Sequence, residues 1–527
     1  MSSNSNVNTF QPTAQHRAIF DWVTSTAPST LAALIEAVAG SGKTSTLIQI
    51  LRLIPLNQTA IFLAFNRDAA AEVCNRARAA GLDRPGLAYL TLNSFGFRAL
   101  LRAFRGVQID EDVVDRRLRD KLVDTEYRLL GSTVSRLISA AKSQGLVPDG
   151  VGATVENGRS LLADTHANWL ALADRFDIED PGIDESKALD RAIEIARKAL
   201  VAGLRDMSTI DFDDQLYAVL AHGVALPTFD WVLVDEAQDL NPVQRVLLRR
   251  AMRPRTRLIA VGDRHQAIYG FRGADSASLG QIETEYGAER FALSVTYRCP
   301  RAVVALAQEY VPHLTAADSA PEGTVSVADV SKVAWRADDM VLCRNNAPLI
   351  RLAYQLIRNK VPCRVAGRDI GKGLTALVDR LKPRDLADLG AKLSAYKARE
   401  SEKLAKAGAK EAKLQALTDK VETLAVFVDE ADTLQGMLAM IADLFGDKDT
   451  GRTTLSSIHK AKGQERPRVF ILNRHLMPSR MAKSATAQEQ EQNLIYVALT
   501  RAKSELVFIT IGDAPTAGSK PTPAIRR

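Results

Sequence analysis

Two segments far apart in the chain carry residue types suited to phosphate chemistry. Ala37-Val38-Ala39-Gly40-Ser41-Gly42-Lys43-Thr44 has the composition of a loop that wraps phosphates in backbone N–H groups. Gly40 and Gly42 let the backbone approach phosphate without a Cβ in the way. Lys43 is placed to reach the β- and γ-phosphates, and the Thr44 hydroxyl to hold Mg²⁺. Ala39, Gly40, Ser41, Gly42, Lys43, Thr44 and Ser45 are the nucleotide-binding candidates. The second segment, Val232-Leu233-Val234-Asp235-Glu236, is an apolar run ending in adjacent carboxylates. Asp235 can bind Mg²⁺ through water, and Glu236 can orient or deprotonate an attacking water. The chemistry implied is hydrolysis of a magnesium nucleotide, ATP.

The elements needed to position these residues are legible around them. The loop follows the apolar run 31–36 and opens a helical stretch, 44–53, the context that a phosphate loop requires. Short apolar strands alternate with helical patterns at 31–37, 60–65, 231–234 and 258–261, and again at 340–343, 454–458, 469–472 and 506–511. Such alternation predicts parallel sheets covered on both faces, hence two α/β lobes. Each lobe is interrupted by a mainly helical stretch, 104–206 in the first. In the second, Leu386, Leu389, Leu393 and Tyr396 step at helical spacing, as do Leu414, Leu417, Val421, Leu424 and Val428. Two amphipathic helices folding back at Gly408 are expected, burying their seam.

Composition sets the bounds. A chain of 527 residues exceeds what one core holds, so several domains are expected. Hydrophobic content of 46% and charged content of 25% fit a soluble globular protein. No apolar run is long enough to span a bilayer, and Met1–Phe10 lacks a signal-peptide layout, so no membrane partner and a cytoplasmic location are expected. The four cysteines are not in CxxC spacing, which indicates neither a zinc site nor a disulfide framework. A net charge of +7 permits a polyanion partner.

Further motifs follow in order. Asp235-Glu236-Ala237-Gln238-Asp239 precedes Val261-Gly262-Asp263-Arg264-His265-Gln266-Ala267-Ile268-Tyr269-Gly270-Phe271-Arg272-Gly273-Ala274. Then come Thr296-Tyr297-Arg298, Ser457-Ile458-His459-Lys460-Ala461-Lys462-Gly463-Gln464-Glu465 and Tyr496-Val497-Ala498-Leu499-Thr500-Arg501-Ala502. In this order they resemble the motifs of the UvrD/Rep-like superfamily 1 DNA helicases. Asn493 and the run Asp211-Phe212-Asp213-Asp214 look closest to the F-box-helicase-like branch, although no F-box is evident. The resemblance implies two RecA-like lobes of P-loop NTPase type, with ATP and Mg²⁺ between them and single-stranded DNA across their top. Gln15 looks like the residue that reads adenine, Tyr297 like the aromatic that stacks on the base, and Glu465 like the acid near the ribose. Arg298 and Arg501 resemble the arginines that reach the γ-phosphate, and Gln266 the group that couples that phosphate to DNA. Phe65, Asn93, Tyr269, Phe271, Arg272 and His459 fall at strand-contacting positions. The family often has His where Asn93 stands, and Ala37 replaces the usual first glycine of the phosphate loop.

The expected organisation is residues 1–103 with 207–290 as the first lobe and 104–206 as its helical insertion. Residues 291–372 with 451–512 form the second lobe, 373–450 its insertion, and 513–527 a flexible tail. The second insertion is shorter than UvrD/Rep-like enzymes usually carry. The reading is a DNA helicase or translocase moving 3′ to 5′ on single-stranded or tailed duplex DNA. Two alternatives stay open: a motor subunit of a repair or phage-defence complex with a nuclease partner, and a nucleotide switch that does not move along DNA.

Overall fold

The computed structural model describes residues 10–176, 178, 185–268, 277–406, 411–445, 452–480, 482 and 485–511. Tyr269, Phe271, Arg272, the expected turn at Gly408 and the expected tail all lie outside those residues. The chain forms two compact units, Met1–Ala37 with Gly42–Leu293, and Val38–Ser41 with Ser294–Arg527.

The strands of the first unit are β1 (Ala32–Ala37), β2 (Ala60–Ala64), β3 (Leu87–Thr91), β4 (Gln108–Ile109), β5 (Thr209–Ile210), β6 (Phe229–Val234), β7 (Met252–Gly262) and β8 (Glu289–Leu293). Six of them make a parallel sheet in the order β3-β2-β6-β7-β1-β8. The central strands read as continuous apolar runs because helices cover both faces. Alternation assigns the faces. Leu34, Ile61, Leu63, Val232 and Val234 pack toward the helical insertion. Ile35, Phe62, Leu233, Ile259 and Val261 pack toward the helices Ala14–Thr24, Lys43–Leu53 and Arg67–Ala79. The insertion holds the helices Val113–Lys121, Asp124–Gln144, His166–Arg175 and Glu185–Arg205, closed at its base by the pair β4-β5.

The second unit continues with β9 (Val295–Thr296), β10 (Thr315–Ala316), β11 (Thr324–Asp329), β12 (Met340–Cys343), β13 (Cys363–Val365), β14 (Thr453–Ser457), β15 (Arg466–Leu472) and β16 (Ala502–Thr510). Its six-stranded sheet is also parallel, in the order β11-β16-β15-β12-β14-β13. The helices Leu386–Lys406 and Glu411–Glu430 pack together, and Leu389, Leu393, Val421 and Leu424 are buried in one core with β12, β13 and the helix Asn346–Arg358. Asp419 ties the pair down: its carboxylate accepts the N–H groups of Asn346 (2.9 Å) and Ala347 (3.0 Å), which the first turn of that helix would otherwise leave unsatisfied. Among the described residues, no helix is long and apolar enough to cross a membrane.

Candidate functional site

In a parallel sheet every strand ends on the same side, and the groups at those ends share a crevice. In the first unit, β1, β6 and β7 are neighbours. The helix Lys43–Leu53 therefore begins beside Asp235–Glu236, which leave β6, and Asp263, which leaves β7. Gly42 caps that helix with φ +82°, a left-handed conformation that suits glycine. Glu236 adopts φ +52° without being glycine. This bend turns the chain sharply out of β6, and such strain collects where geometry is being enforced. It aims the Glu236 carboxylate at Lys43, whose ammonium lies 2.8 Å away.

Electrostatics bind the cluster together. Burial opposes the Lys43 charge, but Glu236, Asp235 and Asp263 outweigh it and hold its pKa above the ordinary lysine value. Burial, with Glu236 adding repulsion, pushes the Asp235 carboxyl up, and burial does the same to Asp263. Gln238 joins the two acidic strand ends. Its side-chain amide donates to Glu236, and its Oε1 accepts the Asp263 N–H at 3.0 Å. A Cβ on Gly262 would stand 2.6 Å from that Oε1, so glycine there makes room for the bridge. Gln266 is buried and donates to Asp263 at 2.6 Å. The role of Gln238 is not apparent from the sequence, where it reads as one polar residue of an acidic motif.

Three further expected positions lie in the first unit. Gln15 sits in the first turn of the helix Ala14–Thr24. The far end of that helix is held by Arg257 of β7. Its guanidinium lies 4.2 Å from the Trp22 ring centroid and 4.5 Å from that of Trp231, and donates to the carbonyls of Trp22, Val23 and Ser25. Phe65 directly follows β2 and is 41% exposed, which leaves ring surface for a contact. Asn93 follows β3, and its side-chain amide donates to the Phe212 carbonyl at 3.1 Å. These two stand at the same sheet end as the phosphate chemistry, displaced toward the β3 edge.

In the second unit, Glu465 and Arg501 immediately precede the paired strands β15 and β16, so both stand at the N-terminal end of the sheet. Glu465 forms ion pairs with Arg298 and with Lys503, the latter at 2.6 Å. Burial disfavours the Glu465 charge, but Arg298, Lys503 and Arg501 together hold its pKa low. Arg501 is only 1% exposed and donates to the carbonyls of Val497 (2.8 Å) and Gln464 (3.3 Å). Burial and then the Arg298 charge lower its pKa to about 10. Three cations, Arg298, Lys503 and Arg501, thus lie close together around one acid. Gly40 belongs to this unit as well: its carbonyl accepts the Tyr297 N–H at 2.8 Å, and a Cβ on it would stand 2.5 Å from the Arg298 Cβ. Ala39 N–H donates to the Tyr496 hydroxyl at 2.9 Å, and Tyr297 keeps 52% of its surface exposed. His459 follows β14, at the opposite end of the sheet from Glu465 and Arg501.

Comparison with known proteins finds two helicase domain models along the chain. The UvrD/REP helicase N-terminal domain model matches residues 23–287, and the UvrD-like helicase C-terminal domain model matches residues 384–513. The chain is similar to ATP-dependent DNA helicase UvrD1 of Mycobacterium tuberculosis, 27% identical over 306 residues that cover 53% of this chain and 37% of that protein. It is 27% identical to DNA helicase IV of Escherichia coli over 53% of this chain and 44% of that protein. It is 29% identical to RecBCD enzyme subunit RecB of Mycobacterium tuberculosis over 51% of this chain and 29% of that protein. The chain thus spans less than half the length of each of these relatives. With one family model covering half of the chain and a second covering its C-terminal part, the chain belongs to the UvrD/REP helicase family.

Proposed function

We propose that this chain hydrolyses ATP and couples the hydrolysis to 3′-to-5′ movement on single-stranded DNA, opening tailed duplexes as it goes. The observation that carries the reading is the cluster of Lys43, Asp235, Glu236 and Asp263 at one sheet end, built around a 2.8 Å ion pair. Phosphate oxygens arriving at Lys43 compete with Glu236 for its ammonium. Glu236, still oriented by Gln238, then accepts the proton of the attacking water. Thr44 and Asp235 are hard oxygen donors of the kind Mg²⁺ takes beside nucleotide phosphates. The ion would neutralise charge across the β- and γ-phosphates.

In this account Gln15 reads adenine, Tyr297 stacks on the base, and Glu465 meets the ribose. Arg298 leaves Glu465 and Arg501 leaves its backbone carbonyls to meet γ-phosphate charge in the transition state. Gln266 senses that phosphate. Phe65, Asn93, Tyr269, Phe271, Arg272 and His459 grip the strand by stacking and polar contact. The two units act as RecA-like lobes carrying helical insertions, and closing and opening them around ATP provides the stroke.

The test is unwinding of duplexes with 3′ or 5′ single-stranded tails. Opening of the 3′-tailed substrate alone is expected, and opening of the 5′-tailed one alone would overturn the polarity. A second reading, a motor subunit of a larger assembly with a nuclease partner, draws support from the similarity to a protein named as an enzyme subunit. Co-purification of a nuclease with the chain from its native source would favour it.

A further inference from the structure

Several arginines of the first unit's helical insertion are neutralised, Arg116 and Arg119 among them. Arg117 pairs with Asp206 at 3.0 Å, Arg197 with Asp164 at 2.7 Å, and Arg191 with Glu126 at 2.8 Å. The helix Leu92–Ala103, which leads from Asn93 toward that insertion, differs. From Arg84 to Ile109 the chain contains no Asp or Glu. Arg98, Arg102 and Arg105 are exposed, and among the described residues none of their side chains has a hydrogen bond or ion pair. Arg98 and Arg102 are one helical turn apart on one face, with Leu101 between them 47% exposed. Arg105 follows the helix end and lines a cavity of about 550 Å³. Phe104, Arg205, Ser208 and His222 share its wall, and among the described residues no carboxylate does. Arg205 donates to a neutral group, the Gly150 carbonyl at 3.1 Å, and among the described residues forms no ion pair, although it also borders a neighbouring cavity lined by Asp149, Asp164, Glu194 and Asp206.

From this uncompensated charge we infer a second nucleic-acid contact: Arg98, Arg102 and Arg105, ending at the Arg205 cavity, bind the sugar–phosphate backbone of a strand outside the motor track. The row is on the order of 10 Å long at ~1.5 Å of rise per residue, which exceeds a single phosphate and suits a chain of them. Uncompensated arginines bind phosphates by releasing counterions, an affinity that does not depend on base sequence. On the helix, Arg98 and Arg102 project roughly opposite to Asn93, so the row is separate from the strand contact proposed for that residue. The inference rests on the reading that this protein works on DNA.

The decisive variant is the full chain carrying R98Q, R102Q and R105Q, all at exposed positions where folding is retained. Its binding to a fluorescent 3′-tailed duplex is followed by anisotropy across a salt series, beside the wild type. The expected result is at least tenfold weaker binding at low salt and a log–log salt slope flatter by about two, near 0.7–0.9 for each phosphate that is no longer neutralised. ATP hydrolysis at saturating single-stranded DNA stays within twofold of wild type. An unchanged affinity and slope would overturn the inference. Wild-type protein that binds no DNA would instead overturn the reading beneath it. A third arm titrates inorganic phosphate at constant ionic strength: phosphate binding abolished in the variant, with the DNA slope intact, would mark a small-anion site and also overturn the inference.

Discussion

The ion pair between Lys43 and Glu236 ties the two ends of the hydrolytic chemistry to each other, and each end has its own test. Lys43→Ala is expected to lower kcat by about a hundredfold or more, because preorganised charge at the transferring phosphoryl group is removed. Retained turnover would remove the phosphate-loop assignment. Glu236→Gln is expected to bind ATP normally while hydrolysis falls on the order of 10²- to 10⁴-fold; failure to bind, read with a fluorescent nucleotide, would contradict its role as base. Arg257 acts through the helix that carries Gln15, since it holds the last carbonyls of that helix between two indole rings. Arg257→Met is expected to raise the KM for ATP roughly tenfold, about 1.4 kcal/mol, with kcat nearly unchanged. Gln15→Ala measured beside it separates the two roles: a KM that rises in Gln15→Ala but not in Arg257→Met would remove Arg257 from nucleotide positioning. The phosphate loop and Asp235–Glu236 are legible in the sequence because composition, spacing and context coincide there. Gln238 and Arg257 are not, because a bridging amide and a stacked guanidinium arise only when β6, β7 and the first helix come together.

At the scale of elements, two polar ties, one buried and one half-buried, join the insertions to segments flanking their sheets. In the first unit, Lys142 of the helix Asp124–Gln144 meets Asp211 at 2.7 Å and Asp214 at 2.8 Å, with its side chain almost wholly buried. Burial, opposed by Lys142, pushes the Asp214 carboxyl up to about 6. Lys142→Met leaves buried acids without their cation and is expected to cost about 3–5 kcal/mol at pH 7 by chemical denaturation. A carboxyl whose pKa is higher in the folded than in the unfolded chain binds more protons when folded, so stability rises as pH falls through that window. Part of the variant's deficit should therefore be recovered below about pH 6; a deficit independent of pH would exclude this electrostatic cause. In the second unit, Asp419→Ala removes the acceptor for two helix N–H groups and is expected to cost about 1–2 kcal/mol. The paired helices 386–406 and 411–430 are readable from apolar stepping, and so are the central strands from their apolar runs. The edge strands β3, β8, β11 and β13 are not. β8 and β11 carry exposed or half-exposed polar residues in place of an apolar run, β3 is a short apolar stretch that stays half-buried at its edge, and β13 is only three residues long.

At the scale of the whole molecule, each parallel α/β unit contributes its own charged cluster, acidic with one lysine in the first and cationic around one acid in the second. The chain order of the motifs makes this division visible in the sequence alone, since each motif borders an apolar run that forms a strand. What the sequence could not show is how each cluster is occupied: Arg298 by Glu465, and Arg501 by backbone carbonyls. The central claim is that ATP turnover answers to a DNA strand, and steady-state hydrolysis by the wild-type chain, with and without a single-stranded oligonucleotide, tests it most directly. The account predicts a rate at least tenfold higher with the strand present. Equal rates with and without DNA, at strand concentrations shown to saturate binding, would contradict it.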